Sequence, residues 1–445
     1  MTGIRGAVGK LVRRPSLCRG AILVLLILLI PSMALRVAVF ALEAPVVYPD
    51  TSGYTALAAN IAAGDLHEDW GFRPPGYPLV VLAAGQNTTA VAAVQVFVLG
   101  LATTLLIAGT VWLLCGSVGW SLLAGWLYGL NLGQIQTEMT VLPEAWCTFL
   151  LSLIALGVVI IHRRGASWRW IVVVALASAT LSLSRSQYLF VPLVLVVAIS
   201  IWLRPRWGRA LGFAALALLP VLVWSGYNYS RLDYFGPTTQ AGFSLTNLSG
   251  AYIADAPAEY ATIRDIYVAE VRARDGQNVN AIWQVMGEMS SKTGLTYPEL
   301  SRQLTSMSLG LFLHHPGQYL RQVAANLVPF WKGVGRYGSP LHLARSGLPH
   351  LIWVAQKYFY VAVAALFLAL VAILAVPPAR HRLLASSLDA SWWLLVSIVI
   401  LACITQALVE YSGARYGLPV QPLVGALTCA ALAAMRQPWR RGQPE

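Results

Sequence analysis

Charge is what this sequence has least of. Asp, Glu, Lys and Arg make up 11% of its 445 residues, against roughly 25% in a typical soluble domain. A water-soluble fold of this length is thereby excluded, because 57% hydrophobic residues are more than one aqueous core can bury. Acids are scarcer still, 18 against 31 Lys and Arg. Cysteine is rare too: Cys18, Cys115, Cys147, Cys403 and Cys429 fall in or beside apolar runs, which excludes a disulfide framework and a cysteine-based metal site. No internal repeat is present to support an inverted-repeat transporter. Sequons occur at Asn87, Asn228 and Asn247, but nothing else in the sequence points to a glycosylating compartment.

What fills the chain instead is span-length apolar sequence. Such runs begin near residues 20, 90, 120, 141, 170, 188, 210, 351, 391 and 418, so an all-α polytopic membrane protein of about ten transmembrane helices is expected. The first run has a basic flank, is interrupted by Pro31 and shows no small-residue cleavage site. It is expected to stay as an anchor rather than be removed as a signal peptide.

The surplus of positive charge has a direction. With the N-terminus in the cytoplasm, the inner segments are 1–19, 162–169, 203–209, 377–390 and the tail. They hold Arg5, Lys10, Arg13, Arg14, Arg19, Arg163, Arg164, Arg169, Arg204, Arg206, Arg209, Arg380, Arg382, Arg436, Arg440 and Arg441, beside only Asp389 and Glu445. The remaining bases and acids nearly cancel on the other side. This is the positive-inside asymmetry, and it accounts for the basic balance without nucleic acid. Both termini are expected in the cytoplasm and the protein in the plasma (inner) membrane.

Two connections are long, about 42–89 and 229–350, and both come out external. They divide the chain into an N-terminal transmembrane module (1–230), an outer region (231–350) and a C-terminal transmembrane module (351–445). The second loop ends in a stretch, 313–333, with Leu, Val, Phe and Trp on one face and Arg321 and Lys332 nearby. It reads as an amphipathic helix on the outer membrane surface or as a packed helix of a small outer domain.

The first loop carries the most chemistry. Asp50 follows the first run by a few residues, at the membrane boundary. Residues 54–63 have helical spacing, and Gly64 ends them. Arg73-Pro74-Pro75-Gly76-Tyr77-Pro78 then makes a stiff turn back toward the membrane. An arginine suits a phosphate because its forked donors grip two oxygens, and a carboxylate suits proton abstraction from a hydroxyl. Helix capping is the alternative use of Asp50.

Other polar residues break the apolar runs: Arg36, Glu144 in TVLPEAWCTFLL and Arg185 in LSLSRSQYLF. Such residues face a polar cavity or one another, so a structural Glu–Arg pair is the alternative to a site. Glu138 reads as an exposed loop acid. His67, Glu68 and Asp69 are candidate metal ligands off register with the arginine, and His314 and His315 read as surface or packing residues.

Asp-x-x-x-Tyr-x-x-x-Ala followed by Arg-Pro-Pro-Gly-Tyr-Pro resembles the first loop of membrane glycosyltransferases with the GT-C fold. The resembling branch contains protein O-mannosyltransferases and the aminoarabinose transferases that modify lipid A. TVLPEAWCTFLL at Glu144, LSLSRSQYLF at Arg185, WSGYNYSRLDYFG around Asn228, HHPGQYL with Phe330-Trp331, and EYSGARYGLPVQPLVGALTCA at Arg415 and Tyr416 resemble further segments of that family, in order. The resemblance implies a GT-C-like bundle with two long outer loops. It implies an inverting transferase that moves a sugar from polyprenyl phosphate to an acceptor hydroxyl of a glycan, lipid or protein. Asp50 would be the base, Arg73, Arg185 and Arg415 the phosphate-binding residues, and Tyr54, Glu144, Asn228 and Tyr416 the lining of the substrate cavity. Two positions depart from the pattern: Tyr227 stands where an Arg often precedes the Asn, and Phe72 where an acid helps bind metal. A divalent metal therefore has no clear ligand set. The alternatives are a transporter or flippase for a lipid-linked glycan and a non-catalytic assembly factor.

Cysteine-accessibility labelling is expected to place 162–169, 204–209 and 377–390 on the cytoplasmic side and 42–89 and 229–350 on the other. Cytoplasmic labelling of 229–350 would overturn the orientation.

Overall fold

The structure, a computed structural model, describes residues 15–67, 69–203, 207–332, 346–377, 388–411 and 413–436. Arg5, Lys10, Arg13, Arg14, Arg204, Arg206, Arg380, Arg382, Arg440 and Arg441 lie outside the described residues, as does Glu68. The described chain is helical, and its β interaction is an isolated parallel bridge between Val46 and Thr140. In a hydrocarbon solvent a helix satisfies each backbone N–H and C=O within its own segment.

Among the described residues, seven stretches are long and apolar enough to cross a membrane. They are Gly20–Leu42 within α1 (Pro15–Leu42), α4 (Thr88–Cys115), α7 (Glu144–Arg164), α10 (Trp207–Leu232), α16 (Gly347–Ala375), α17 (Ala390–Val409), and the segment Arg415–Met435 that ends in α18 (Gln421–Met435). The chain is thus a polytopic helical membrane protein. Three of the ten expected runs form shorter helices: α5 (Val118–Gly129), α8 (Trp168–Ser184) and α9 (Phe190–Trp202). Local polar residues cut them. Asn131 accepts from the N–H groups of Gly133 and Gln134 and starts a new helix, α6 (Leu132–Glu138). At Arg185 the backbone becomes extended and separates α8 from α9.

In the first loop, α2 (Pro49–Ala63) begins five residues before the Tyr54 expected from spacing, because Pro49 presets the first helical turn. It ends at Gly64, which has a left-handed backbone. The stiff turn leads into α3 (Gly76–Ala83).

The second loop builds a helical unit with its own core: α11 (Ala241–Ser249), α12 (Ala261–Ala273), α13 (Ala281–Thr293), α14 (Tyr297–His314) and α15 (Pro316–Phe330). Phe243, Tyr267, Met289, Leu300 and Leu304 are buried together there. The single helix expected over 313–333 is two, broken at His315 before Pro316. On α15, Asn326 and Phe330 face inward while Leu320, Arg321 and Val328 are exposed. Phe72 of the first loop packs on Phe243, ring centroids 5.6 Å apart. Thr239 anchors the same loop by hydrogen bonds to the carbonyls of Gly71 and Trp70.

Glu138, expected as a loop acid, is instead buried within the bundle. Arg36 donates to it twice, Nε to Oε2 at 2.9 Å and Nη2 to Oε1 at 2.7 Å, with both side chains at 1% exposure or less. Tyr128 donates to Oε1 at 2.6 Å and Arg36 Nη1 reaches the Gly129 carbonyl at 2.8 Å. The sequence misleads because Glu138 sits at the end of a short helix, and the approach of α1, with Gly100 of α4 and Tyr128 of α5, is what covers it.

Arg36→Leu alone should lower stability by roughly 3–5 kcal/mol, since it leaves a buried carboxylate unpaired. The double change Arg36→Leu with Glu138→Leu should recover most of the loss, read as the melting temperature in detergent. A double variant no better than the single one would show that the pair contributes more than mutual neutralisation.

Candidate functional site

Asp50 is the second residue of α2, where the partial positive charge of the helix start favours a carboxylate. It does not cap that helix. Thr51 Oγ1 accepts from the Tyr48 N–H at 3.0 Å and donates to the Val141 carbonyl at 3.1 Å. The Asp50 carboxylate is thereby free for two arginines: Arg73 Nη2 lies 2.9 Å from Oδ1, and Arg415 Nη1 lies 2.9 Å from Oδ2.

Each arginine is brought in by a different part of the chain. Arg73 precedes the Pro pair, and Gly76 lets that turn lie directly on the end of α8. A Cβ there would sit 2.5 Å from Ser184 Oγ and 2.8 Å from the Leu183 carbonyl oxygen. The turn carrying Arg73 thus abuts the residue before Arg185. Arg415 lies in a tight 3₁₀ stretch, Ala414–Val420, ahead of α18. Gly417 allows that stretch to meet the end of α15, since a Cβ would fall 2.0 Å from the Phe330 carbonyl oxygen.

Glu144 opens α7 immediately after Pro143. Its Oε1 accepts from Arg415 Nε at 2.5 Å and Arg185 Nη1 at 3.0 Å. Its Oε2 is buried and has no hydrogen-bond partner among the described residues. Three guanidinium groups therefore share two carboxylates through four ion pairs.

Aromatic rings hold the arginines from behind. The Arg73 guanidinium lies 4.7 Å from the Tyr54 ring centroid, and that of Arg185 lies 4.6 Å from Tyr416. Tyr54 meets Tyr77 edge to face at 5.2 Å. Tyr77 donates to Gln95 Oε1 at 3.0 Å, and Gln95 Nε2 donates to the Glu138 carbonyl at 2.8 Å. A continuous chain of contacts so ties the open cluster to the closed Arg36–Glu138 pair.

Of the eight site residues expected from sequence, seven come together and one does not. Asp50, Tyr54, Arg73, Glu144, Arg185, Arg415 and Tyr416 converge in this one cluster. Asn228 does not join it: it is fully buried on α10, where Nδ2 donates to the Gly236 carbonyl at 2.8 Å and holds a turn. Sequence reasoning missed Glu410, which accepts from the Tyr416 hydroxyl at 3.0 Å. Its signal was a lone acid closing an apolar run six residues before Tyr416. Asp69 pairs with Arg231 at 3.3 Å, and among the described residues no three His, Cys, Asp or Glu side chains converge on a common point.

Burial pushes the Asp50 carboxyl up, but the charges of Arg73 and Arg415 outweigh it and hold the group below its ordinary value. Burial pushes Glu410 up, against the Tyr416 hydrogen bond and the Arg185 and Arg415 charges. Charged guanidinium groups in a partly open position can grip an anion, and the carboxylate they hold stays ionised. Compared with protein-family models, curated proteins and solved structures, the chain matches none.

Because the folded-state value of Asp50 is depressed, its stabilising effect is present above the ordinary carboxylate range and lost as pH falls through the lowered value. Asp50 is 38% exposed, so solvent screening keeps the effect small, below about 1 kcal/mol. Asp50→Asn should therefore melt slightly below the wild type at neutral pH, and the two curves should draw together on acidification. A gap that widens on acidification would contradict the pairing.

Proposed function

We propose that this protein is an inverting glycosyltransferase of the GT-C class. It moves a sugar from a polyprenyl-phosphate donor to an acceptor hydroxyl on the non-cytoplasmic face of the plasma (inner) membrane. The observation that carries the reading is the meeting of Asp50 with Arg73 and Arg415, each ion pair at 2.9 Å. A proton acceptor and a two-pronged anion grip thus stand side by side, drawn from distant segments. The resemblance of the first loop and of the Glu144, Arg185 and Arg415 segments to that family supports the same assignment. So does the clustering of those residues at one site.

In this reading Asp50 takes the proton from the acceptor hydroxyl as its oxygen bonds to C1 of the sugar. The C1–O bond to phosphate breaks, and its electron pair leaves with the polyprenyl phosphate, which gains one negative charge. Attack opposite the leaving phosphate inverts C1. Arg73 and Arg415, with Arg185 behind them, stabilise the charge as it develops. The isoprenoid tail stays in lipid while the sugar meets the loops.

The transporter alternative draws less support. It needs polar groups along a path through the bundle, yet Arg36 and Glu138 are enclosed and satisfied by each other and their neighbours. The apolar runs supply the expectation of about ten crossings and the charge asymmetry that of two outer loops, and the reading retains both.

Transfer of a tagged sugar from polyprenyl phosphate in membranes tests the assignment. Asp50→Asn should express and insert normally while transfer falls by about 10²-fold or more. Arg73→Ala should raise the donor concentration needed, and Arg73→Lys should recover only part, keeping the charge but not the fork. Transfer by Asp50→Asn at the wild-type rate would sink the role of Asp50.

A further inference from the structure

Both donors on Asp50 belong to the groups that the functional reading gives to the phosphate. We propose that the donor's phosphate is itself the switch that frees the base: Arg73 and Arg415 hold Asp50 in the donor-free protein and pass to the phosphate when the donor binds. The inference rests on the transferase reading and adds to it how the site is regulated.

The geometry favours an exchange over a fixed structural pairing. Each oxygen of Asp50 accepts from a guanidinium group, at 2.9 Å on both sides. A carboxylate held in this way is a poor proton acceptor, because protonation forfeits two charged hydrogen bonds. The latch is also reachable. The side chains of Asp50, Arg73 and Arg415 are 38%, 19% and 31% exposed, whereas Arg36 and Glu138 are sealed.

The arginines have supports that do not depend on Asp50. Arg73 rests on the Tyr54 ring and donates to its hydroxyl at 3.4 Å. Arg415 is held through Nε by Glu144, and Arg185 by Glu144 and the Tyr416 ring. They therefore stay in place when their contact to Asp50 is given up. An arriving phosphate offers the same kind of oxygen pair, and the two anions compete for one set of N–H donors.

Competition links the two functions in both directions. Phosphate binding draws the guanidinium charges off Asp50 and raises its basicity at the moment an acceptor hydroxyl must lose its proton. In the transfer step the proton lands on Asp50 as the phosphate gains a negative charge, so the arginines follow the charge from one anion to the other. Once Asp50 loses that proton to solvent, it competes again for the arginines and helps expel the polyprenyl phosphate. The charged and titratable groups around Asp50 in the donor-free protein are Arg73, Arg185, Arg415 and Glu410, with Tyr54 and Glu144 behind the arginines.

The experiment is equilibrium binding of a short-chain prenyl monophosphate, without sugar, to the full-length protein in detergent. Removing the competing charge should make Asp50→Asn bind about tenfold tighter than wild type, while Arg73→Ala binds more weakly. Equal or weaker binding by a folded Asp50→Asn overturns the exchange and leaves the transferase reading standing. No binding by the wild type overturns both. The wild type supplies a second measurement that needs no variant. With aspartate carboxyls labelled with ¹³C, adding the prenyl phosphate should shift a carboxylate stretch in the infrared difference spectrum, and an unchanged spectrum overturns the exchange.

Discussion

Two guanidinium groups share one oxygen of Glu144, and the rest of the site depends on that sharing. Glu144 is 2% exposed at the start of α7, where an unpaired carboxylate would be costly. Arg185 reaches it from the break between α8 and α9, and Arg415 from the stretch before α18. Three segments distant in sequence are so fixed at one end of the bundle. Arg415 spans the gap from this buried anchor to Asp50 at the surface, giving Nε to one carboxylate and Nη1 to the other. Without Glu144, the positive charges of Arg185 and Arg415 would face each other with no anion between them.

The Arg36–Glu138 pair and the cluster around Asp50 differ in their surroundings, and the difference separates their roles. Around Arg36 and Glu138 the nearby hydroxyl of Tyr128 and the carbonyl of Gly129 complete the hydrogen bonding, and nothing reaches solvent. Around Asp50 the pairs are partly open, and Glu144 retains a buried oxygen without a partner among the described residues. A closed and satisfied pair gives rigidity, whereas an open cluster with perturbed charge has scope for chemistry. The path through Gln95, Tyr77 and Tyr54 lets the first brace the second.

The first loop needs a second support, and the helices of 241–330 provide it. Phe72 and Trp70 pack on Phe243 and Tyr297, while Thr239 takes up the loop's backbone carbonyls. Phe72, immediately before Arg73, is an apolar anchor. Phe72 thus contributes to the placing of Arg73 through packing rather than through charge.

Solvent preference and backbone chemistry were legible in the sequence because they are local. Scarce charge and long apolar runs determined a helical membrane protein, Gly64 marked the end of α2, and the proline pair marked the turn after Arg73. Asp50, Glu144 and Arg185 stand out as polar residues at apolar boundaries and Arg73 by its proline turn, while Tyr54, Arg415 and Tyr416 are singled out by the family resemblance. Tertiary structure alone decided their partners. It gave Asp50 to two arginines instead of a helix cap, hid Glu138 beneath α1, kept Asn228 out of the cluster and brought in Glu410. Each outcome depends on which segments approach within a few ångströms, and on the absence of a side chain at Gly76 and Gly417. Hydrophobic spacing along one helix carries no record of that approach, because the energy that fixes it arises only when distant charges must be paired in the same low-dielectric place.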